Sequence, residues 1–515
     1  MSQHSPESTI VADPPGLSRR TLGVPALVFM TIAASAPMTV VAGGYPSNFA
    51  VSGVLGVPLS FIVLGSVLIL FTVGYAAMSA KIRNAGAFYA YVAQGIGKSA
   101  GVSASFIALV AYNCIQIAVY GLFGFAASSF ISEKTGAEIP WWAAAGVAFV
   151  VVAWLGVNKV DFSARVVAVV VGLEFLAVII FNISAFVVQP EGVQATGLLP
   201  SDLFTTGIGA VLAFSIACFM GFESAAIYSE ETKNPGRSTA RATYISVAII
   251  AVFYAFSAWA MMIATGPSQI VGASRELGPG LLFALLGQNV GGMMADIGQV
   301  LFLTSLFAAL LAFHNAVARY VFSLAREGVL PQRLAYVNNR THAPVAGSLT
   351  QTSIALIVVL IFAIAGSGSE LGPLFPVLTL FTWLSNTAAL GLVFLMVLVS
   401  VAVIGYFRID HCGHSVWTRL IAPLVSALAL GGICVMILVN FDLLIGTSGP
   451  SLLNWILPLV ALFPGVIGLW WGHHLKSRKP DLYRGIGHGS EPVVPAEKPV
   501  PMHVSDGGPL TVSQP

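Results

Sequence analysis

The chain has 515 residues, of which 57% are hydrophobic and 9% are charged, and its formal net charge is +2. Soluble proteins carry roughly 25% charged residues, so this composition, with a mean hydropathy of +0.88, excludes a soluble protein. Apolar runs near the ~20 residues that cross a bilayer recur along the chain. Together these features predict an all-α polytopic membrane protein.

Twelve transmembrane helices are predicted between two polar tails. The tails, residues 1–20 and 476–515, contain many prolines or glycines and are predicted to be disordered in the cytoplasm. Short interfacial helices are expected at 86–98 and at 278–290. The predicted spans are 22–45, 52–80, 100–131, 140–158, 163–189, 205–229, 241–265, 291–325, 345–366, 374–406, 418–441 and 451–474.

The distribution of basic residues tests this layout, because cytoplasmic loops of membrane proteins are enriched in Lys and Arg. With both termini in the cytoplasm, 21 of the 23 Lys and Arg lie in cytoplasmic segments, and Lys134 and Arg275 lie outside. A missed or additional helix would scramble this pattern. We therefore expect a multi-pass protein of the cytoplasmic (inner) cell membrane with both termini cytoplasmic.

Helix 1 is predicted to be interrupted near its middle. Pro37 removes a backbone donor and clashes with the preceding turn, and Ser35, Ala36 and Met38 stand beside it. Proline kinks packed by small residues are common in membrane helices. Taken alone, this interruption therefore favours a structural kink over a binding site.

Helix 6 carries a second predicted interruption. Gly221 weakens the helix, and Glu223 follows it as an acid embedded in apolar sequence. Irregular backbone at membrane depth is tolerated only where protein or a water-filled cavity satisfies it. A solute site is therefore expected here, with the candidate binding residues Ala217, Cys218, Phe219, Gly221 and Phe222.

The two interrupted helices are five helices apart, so they run in opposite directions. Paired interruptions in two inverted halves are a strong sequence indication of a transporter site. Helix N-termini offer N–H groups to a carboxylate, and free carbonyls can hold an ammonium group, so a zwitterionic amino acid fits both. The predicted domains are a first repeat at 21–190 (helices 1–5), a second at 205–408 (helices 6–10), and helices 11 and 12 at 417–475.

Three stretches resemble signatures of the amino acid–polyamine–organocation (APC) superfamily. They are GFE at 221–223 with EETKNPGR at 230–237 in helix 6, AGAFYAY at 85–91 after helix 2, and LAREGVLP at 324–331 after helix 8. The resemblance covers about residues 20–475. It implies the leucine-transporter fold, with five plus five inverted helices and two more, and secondary transport of amino acids or related amines by alternating access.

The sequence departs from the family pattern at two candidate site positions. Ser35, Ala36 and Pro37 stand where the family usually has a glycine-rich break, and Ala217 stands where it often has an aromatic residue. A substrate that is bulkier than a plain α-amino acid, or differently held, is compatible with these changes.

Two acids at membrane depth are candidates for ion or proton coupling. Glu174 lies in the middle of helix 5, where some proton-coupled relatives carry a lysine. It either carries a proton or is a structural group bonded to a neighbouring carbonyl. Glu223 either takes part in coupling or braces the broken helix, and bracing is the favoured interpretation.

Other polar residues of the membrane helices leave alternatives open. Tyr112 and Gln116 share one face of helix 3 and either line the substrate pathway or form interhelical hydrogen bonds. Thr304 and Ser305 on helix 8 are candidate hydroxyl ligands for Na⁺, as in sodium-coupled members of the fold.

The leading hypothesis is an H⁺-coupled amino acid permease, with the lipid bilayer and a small amino acid or amine as its partners. An exchanger, a Na⁺-coupled symporter and a non-transporting nutrient sensor of the same fold are alternatives. No HExxH or paired-Asp motif occurs and no GxSxG lies within a predicted helix, so no enzyme activity, metal or cofactor is expected. The basic residues are spread over loops as topology determinants, which disfavours nucleic acid binding.

Overall fold

The computed structural model describes residues 22–82, 86, 88–158, 164–227, 232–233, 235–338, 340–341, 343–409, 411, 413–446 and 451–488. The regular secondary structure of this part of the chain is helical, apart from one isolated bridge between Leu22 and Thr232. Twelve of its segments are long and apolar enough to cross a membrane. The predicted class, an all-α multi-pass membrane protein, is therefore confirmed.

Eleven of the twelve long segments coincide with predicted spans. They are helix 1 (Val24–Ser52), helix 2 (Val57–Ser79), helix 3 (Lys98–Thr135), helix 4 (Trp141–Asn158), helix 5 (Ala164–Val188), helix 7 (Pro235–Thr265), helix 8 (Gly292–Arg326), helix 9 (Val345–Ala365), helix 10 (Gly372–Arg408), helix 11 (Trp417–Val439) and helix 12 (Leu453–Arg478). The predicted helix 6 consists of two short pieces, Ile208–Ala217 and Ser224–Ile227.

The twelfth long segment, Ile270–Asn289, was not predicted as a span. It consists of the helices Ile270–Leu277 and Leu281–Asn289, which meet at a turn where Gly278 has φ +50°. At 1.5 Å per residue these helices are about 12 and 14 Å long, well short of the ~30 Å hydrocarbon core. The segment therefore extends the predicted short helix at 278–290 into a bent pair.

The short helix after helix 2 is buried more deeply than an interfacial helix would be. It runs from Phe88 to Gly95 and packs against helices 3 and 10, with Phe88 and Tyr89 fully buried. Two residues of the AGAFYAY motif, 85 and 87, lie outside the described residues. The same is true of Glu230, Glu231 and Asn234 of the helix 6 motif.

Aromatic rings connect the four helices that surround the breaks. Phe61 of helix 2 contacts Tyr45 of helix 1, Tyr254 of helix 7 and Phe219 of helix 6, with ring centroids 5.5, 5.6 and 6.0 Å apart. Such pairs contribute about 0.5–1.5 kcal/mol each beyond their burial. Helices 1, 2, 6 and 7 are thus held together at the depth of the breaks.

The chain after helix 12 is ordered for longer than the sequence predicts. Disorder is predicted from residue 476, but helix 12 continues to Arg478 and a further helix spans Pro480–Gly485. Ile486 is fully buried, and the N–H of Gly487 donates to Glu327 Oε2 at 2.7 Å. This packing offsets the polar composition of the segment. The remaining predicted tails, 1–20 and 489–515, lie outside the described residues.

Candidate substrate site between two helix breaks

Helix 1 breaks at Ala36, within the interruption that the sequence indicates. Its first half, Val24–Ser35, ends where the N–H of Ala36 donates to the Ile32 carbonyl at 3.1 Å. Ala36 has φ +48°, a left-handed conformation that costs a non-glycine residue roughly 1–2 kcal/mol. Pro37 begins the second half, at the helical position where its missing N–H is tolerated.

Helix 6 breaks over the turns at 218–223, between its two helical pieces. Gly221 has φ +104°, which favours glycine because a side chain would be strained there. A Cβ at this position would lie 2.7 Å from the carbonyl carbon of Ala34 and 2.9 Å from its Cβ. Gly221 therefore allows the break of helix 6 to pack directly against helix 1.

A cavity of about 60 Å³ lies between the two breaks. One water requires roughly 10–15 Å³, so the cavity has room for a few waters or part of a small solute. Four of the predicted binding residues line it: Ser35, Ala36, Ala217 and Cys218. The other walls are Ala34, Thr39, Val40, Gly44, Ile115, Val119, Phe214, Met220, Ala309, Phe313, Phe381 and Ser385.

The lining is mainly apolar. Its hydroxyl groups belong to Ser35, Thr39 and Ser385, and the thiol of Cys218 donates to the Phe214 carbonyl at 3.2 Å. None of the residues that line the cavity is charged. The cavity therefore suits a solute with an apolar portion whose charged groups contact backbone and hydroxyl groups.

Tyr254 of helix 7 ties the two breaks together. Its hydroxyl lies 2.7 Å from Ser35 Oγ and 3.3 Å from the Ser35 carbonyl oxygen. Ser35 Oγ donates to the Cys218 carbonyl of helix 6 at 3.0 Å. Side chains thus satisfy carbonyls that the broken helices leave without their usual partners. The sequence offered no spacing or motif that singled out Tyr254.

Glu174 of helix 5 lies beside the break of helix 1. Its Oε2 accepts a hydrogen bond from the N–H of Met38 at 3.2 Å and another from Ser305 Oγ at 2.9 Å. Met38 is at the start of the second half of helix 1, where a negative group is favoured. Thr39, which lines the cavity, donates to Ser305 Oγ at 3.4 Å. A chain of polar groups therefore connects the cavity to Glu174.

Glu223 lies within the break of helix 6. Its Oε2 accepts the N–H of Gly221 at 3.1 Å, and its Oε1 accepts the hydroxyl of Tyr112 at 2.7 Å. The hydroxyl of Tyr75 donates to its main-chain carbonyl at 3.3 Å. Tyr112 thus contacts Glu223 and does not line the main cavity; both residues border a separate space of about 10 Å³.

Gln116 lies outside the cavity, in a buried polar cluster of helices 3, 8 and 9. Its Nε2 is 3.4 Å from His314 Nδ1, and Gln351 donates to its Oε1. His314 Nε2 is 2.8 Å from Ser348 Oγ. This arrangement matches the interhelical alternative that the sequence left open for Gln116.

Phe219 and Phe222 face away from the cavity, toward helix 2. Their ring centroids lie 6.0 Å from Phe61 and 6.1 Å from Phe71. These side chains hold the break of helix 6 in place, and they are absent from the lining of the cavity.

Thr304 and Ser305 do not meet at one site. Ser305 is buried and donates to Glu174, whereas Thr304 is exposed and donates to the Leu301 carbonyl of its own helix at 2.9 Å. Adjacent residues of a helix point about 100° apart, which is why the two hydroxyls diverge.

Residues of helices 8 and 10 complete the cavity, and none of them was predicted from the sequence. Phe313 lies on helix 8, and Phe381 ends a π-helical turn, Pro376–Phe381, at the start of helix 10. π-Helical turns are frequent at functional sites. Pro376 was the available signal, since proline disrupts the regular ladder of helical hydrogen bonds.

Comparison with known proteins agrees with this architecture. The model of the amino acid permease family matches residues 22–463. The chain is 26% identical over 360 residues to the low-affinity putrescine importer PlaP of Escherichia coli (strain K12), covering 66% of this chain and 75% of the importer.

Two further relatives carry amino acids according to their names. Asc-type amino acid transporter 1 of Mus musculus is 25% identical over 324 residues, which is 60% of this chain and 59% of the transporter. The branched-chain amino acid permease BcaP of Bacillus subtilis (strain 168) is 26% identical over 314 residues, which is 56% of this chain and 64% of the permease. Since the family match spans most of the chain, this protein belongs to the amino acid permease family of the APC superfamily, a family of membrane transporters rather than enzymes.

Proposed function

We propose that this protein is a secondary active transporter that moves an amino acid across the cytoplasmic membrane by alternating access. The observation that carries the proposal is a cavity between the breaks of two helices. Paired breaks of this kind form the substrate site in transporters built from inverted repeats. In this proposal the repeats are residues 21–190 and 205–408 of a leucine-transporter fold.

Both termini are proposed to be cytoplasmic. The support is the distribution of Lys and Arg, 21 of 23 of which lie on one side of the twelve-helix layout. A topology reporter fused to the C terminus should report a cytoplasmic location, and activity on the outer side would contradict the layout.

The proposed substrate is an amino acid with an apolar side chain. The cavity is lined by apolar side chains and a few hydroxyls, which suits such a side chain, and its lining has no carboxylate that would pair with a second ammonium group. Putrescine, which PlaP imports according to its name, is the alternative substrate. As a diamine it carries two ammonium groups, and the lining of the cavity has no carboxylate for either.

Glu174 is the proposed proton carrier. It lies on helix 5 but bonds to the break of helix 1 and to helix 8, so movement of helix 1 relative to helix 5 would change its surroundings. A group that binds a proton differently in two conformations links the proton to the equilibrium between them. The bonds through Ser305 and Thr39 extend this link to the cavity.

The test is uptake by the full-length protein in proteoliposomes. Labelled branched-chain amino acids and labelled putrescine are offered separately under a pH gradient alone or a Na⁺ gradient alone. We expect accumulation of the amino acid when the outside is acidic, with no response to Na⁺. Accumulation of putrescine alone would contradict the substrate proposal, and accumulation driven by Na⁺ would contradict the coupling proposal. Specific binding without uptake or exchange would indicate a sensor.

A further inference from the structure

A second cavity, of about 410 Å³, lies between helices 5 and 8. We call it the helix 5–8 groove, and its main walls are Val170, Val171, Glu174, Leu303, Thr304 and Phe307. It shares no lining residue with the cavity between the breaks. Its volume is within the roughly 300–1,000 Å³ of small-molecule sites.

The groove is apolar apart from two residues. The Thr304 hydroxyl is engaged by the Leu301 carbonyl of its own helix. The remaining polar group is the carboxyl of Glu174, a residue only 1% exposed. Both of its hydrogen bonds are made by Oε2, and within the described part of the chain no donor lies within hydrogen-bond distance of Oε1.

A carboxyl oxygen without a donor, on a nearly buried residue that lines an apolar groove, defines the chemistry of an occupant. An acyl chain would fill the groove, but it would leave the ionised carboxylate of Glu174 without a partner on Oε1, which is unfavourable. Water would satisfy the oxygen, but ordered water needs two to four polar partners, and these walls offer few. An ammonium group on an alkyl chain satisfies the oxygen and fills the groove.

We propose that the helix 5–8 groove binds an amphiphilic amine, with its ammonium group on Glu174 Oε1 and its alkyl chain along the valines, Leu303 and Phe307. Charge complementarity favours this occupant, because charge-assisted hydrogen bonds are the strong ones. Val166 and Val300 at the rim are 46% and 45% exposed, so an amine dissolved in the membrane can reach the groove from the side.

Binding in the groove is independent of the proposed transport function, but its consequence rests on that function. An ammonium group on Oε1 would stabilise the ionised carboxylate of Glu174 and oppose its protonation. If Glu174 carries the proton, the amine would inhibit proton-driven accumulation without entering the cavity between the breaks.

The test is ligand-dependent thermal unfolding of the purified full-length protein, with octylamine as the probe and octanol as its uncharged counterpart. Octanol can donate only a neutral hydroxyl to the carboxylate, whereas the ammonium group of octylamine adds its own charge to the bond. We therefore expect octylamine to bind at least about tenfold more tightly than octanol. Equal affinities would overturn the proposal, because apolar occupancy alone would then explain the binding.

Two tryptophan variants locate the site. Val170→Trp places a large ring in the groove and should weaken octylamine binding at least about tenfold. Val169→Trp adds the same ring one residue away, where the side chain is 62% exposed and outside the lining, and should leave the affinity within about twofold. Equal effects of the two variants would place the amine elsewhere and overturn the proposal.

Glu174→Gln keeps the shape of the side chain and removes its charge. We expect it to abolish the preference for octylamine over octanol, whereas an unchanged preference would overturn the pairing. Because unfolding measures binding directly, this outcome does not depend on transport activity. If Glu174→Gln does not fold, the two tryptophan variants decide the question.

Discussion

The two helix breaks use the same chemical group in different ways. At each break a backbone N–H donates to a buried glutamate, from Met38 to Glu174 and from Gly221 to Glu223. Glu223 is two residues from its donor, in the same break. Glu174 is 136 residues from Met38 along the chain and comes from another helix.

This difference favours a bracing role for Glu223 and a coupling role for Glu174. Both carboxyl oxygens of Glu223 accept hydrogen bonds, from Gly221 and from Tyr112. Both bonds of Glu174 fall on one oxygen, and they join helix 5 to helices 1 and 8. The bond from Gly221 can move with its break as a unit, and only the bond from Tyr112 joins the Glu223 side chain to another helix. Both bonds of the Glu174 side chain join different helices, so both change when those helices move. The origin of a carboxylate in the chain therefore matters as much as its burial.

The largest effect is expected from Gly221→Ala. The added methyl group would lie 2.7 Å from the Ala34 carbonyl carbon, at a φ of +104°. Backbone strain of about 1–3 kcal/mol and overpacking of about 1–3 kcal/mol should lower the free energy of unfolding by roughly 2–6 kcal/mol. Thermal unfolding of the purified variant measures this loss.

Gly146→Ala is the matched control. It lies in helix 4, where no atom of the described residues is within 4 Å of the added Cβ, and alanine favours a helix over glycine by up to about 1 kcal/mol. If the two variants unfold alike, helix 6 does not require glycine at its break.

Glu174→Gln should separate exchange from accumulation. The amide oxygen can accept the bonds of Met38 and Ser305, and the amide nitrogen would face the groove, where no described donor opposes it. We therefore expect substrate exchange to persist while accumulation driven by an acidic exterior falls at least about tenfold, a loss equivalent to 1.4 kcal/mol or more. Paired exchange and accumulation assays in proteoliposomes check this.

The control is Glu276→Gln, which changes an exposed carboxylate outside the site and should alter neither assay. Accumulation at the wild-type level in Glu174→Gln would exclude Glu174 as the proton carrier, and Glu223 would be the next acid to test.

Glu223→Gln should instead reduce exchange and accumulation together. The carboxylate accepts one hydrogen bond on each oxygen, whereas an amide has a single oxygen and an NH2 group. One of the two hydrogen bonds to Glu223 is therefore lost, or the NH2 group donates to the Tyr112 oxygen instead, at a cost of about 1–2 kcal/mol. Tyr112→Phe removes the same bond from the other side. Unfolding of both single variants and the double variant forms a thermodynamic cycle, and additive effects would show that the two groups are not coupled.

The smallest effect is expected from Ala36→Gly. Glycine relieves the left-handed strain at φ +48°, worth roughly 1–2 kcal/mol, but it increases the entropy of the unfolded chain, at a cost of about 0.4–1 kcal/mol. The free energy of unfolding should therefore rise by about 0 to 1.6 kcal/mol. A loss as large as that of Gly221→Ala would mean that the Ala36 methyl group is essential for packing at the break of helix 1.

The sequence predicted the features that depend on local composition. Hydrophobic runs located eleven of the long helices, and Pro37 and Gly221 marked the regions where helices 1 and 6 break. It could not separate the roles of residues that share a helix face. Tyr112 and Gln116 share one face of helix 3, but one contacts Glu223 and the other joins a cluster with His314.

The sequence by itself thus determined the helical membrane class and the positions of the breaks, because spans and breaks are set by the properties of neighbouring residues. Only the tertiary structure decided which groups meet. The bond of Glu174 to Ser305 joins residues 131 positions apart, and Tyr254 reaches Ser35 across 219 positions. Such contacts depend on how each helix is rotated and packed against its neighbours, and this rotation is set by the whole interior rather than by any one segment.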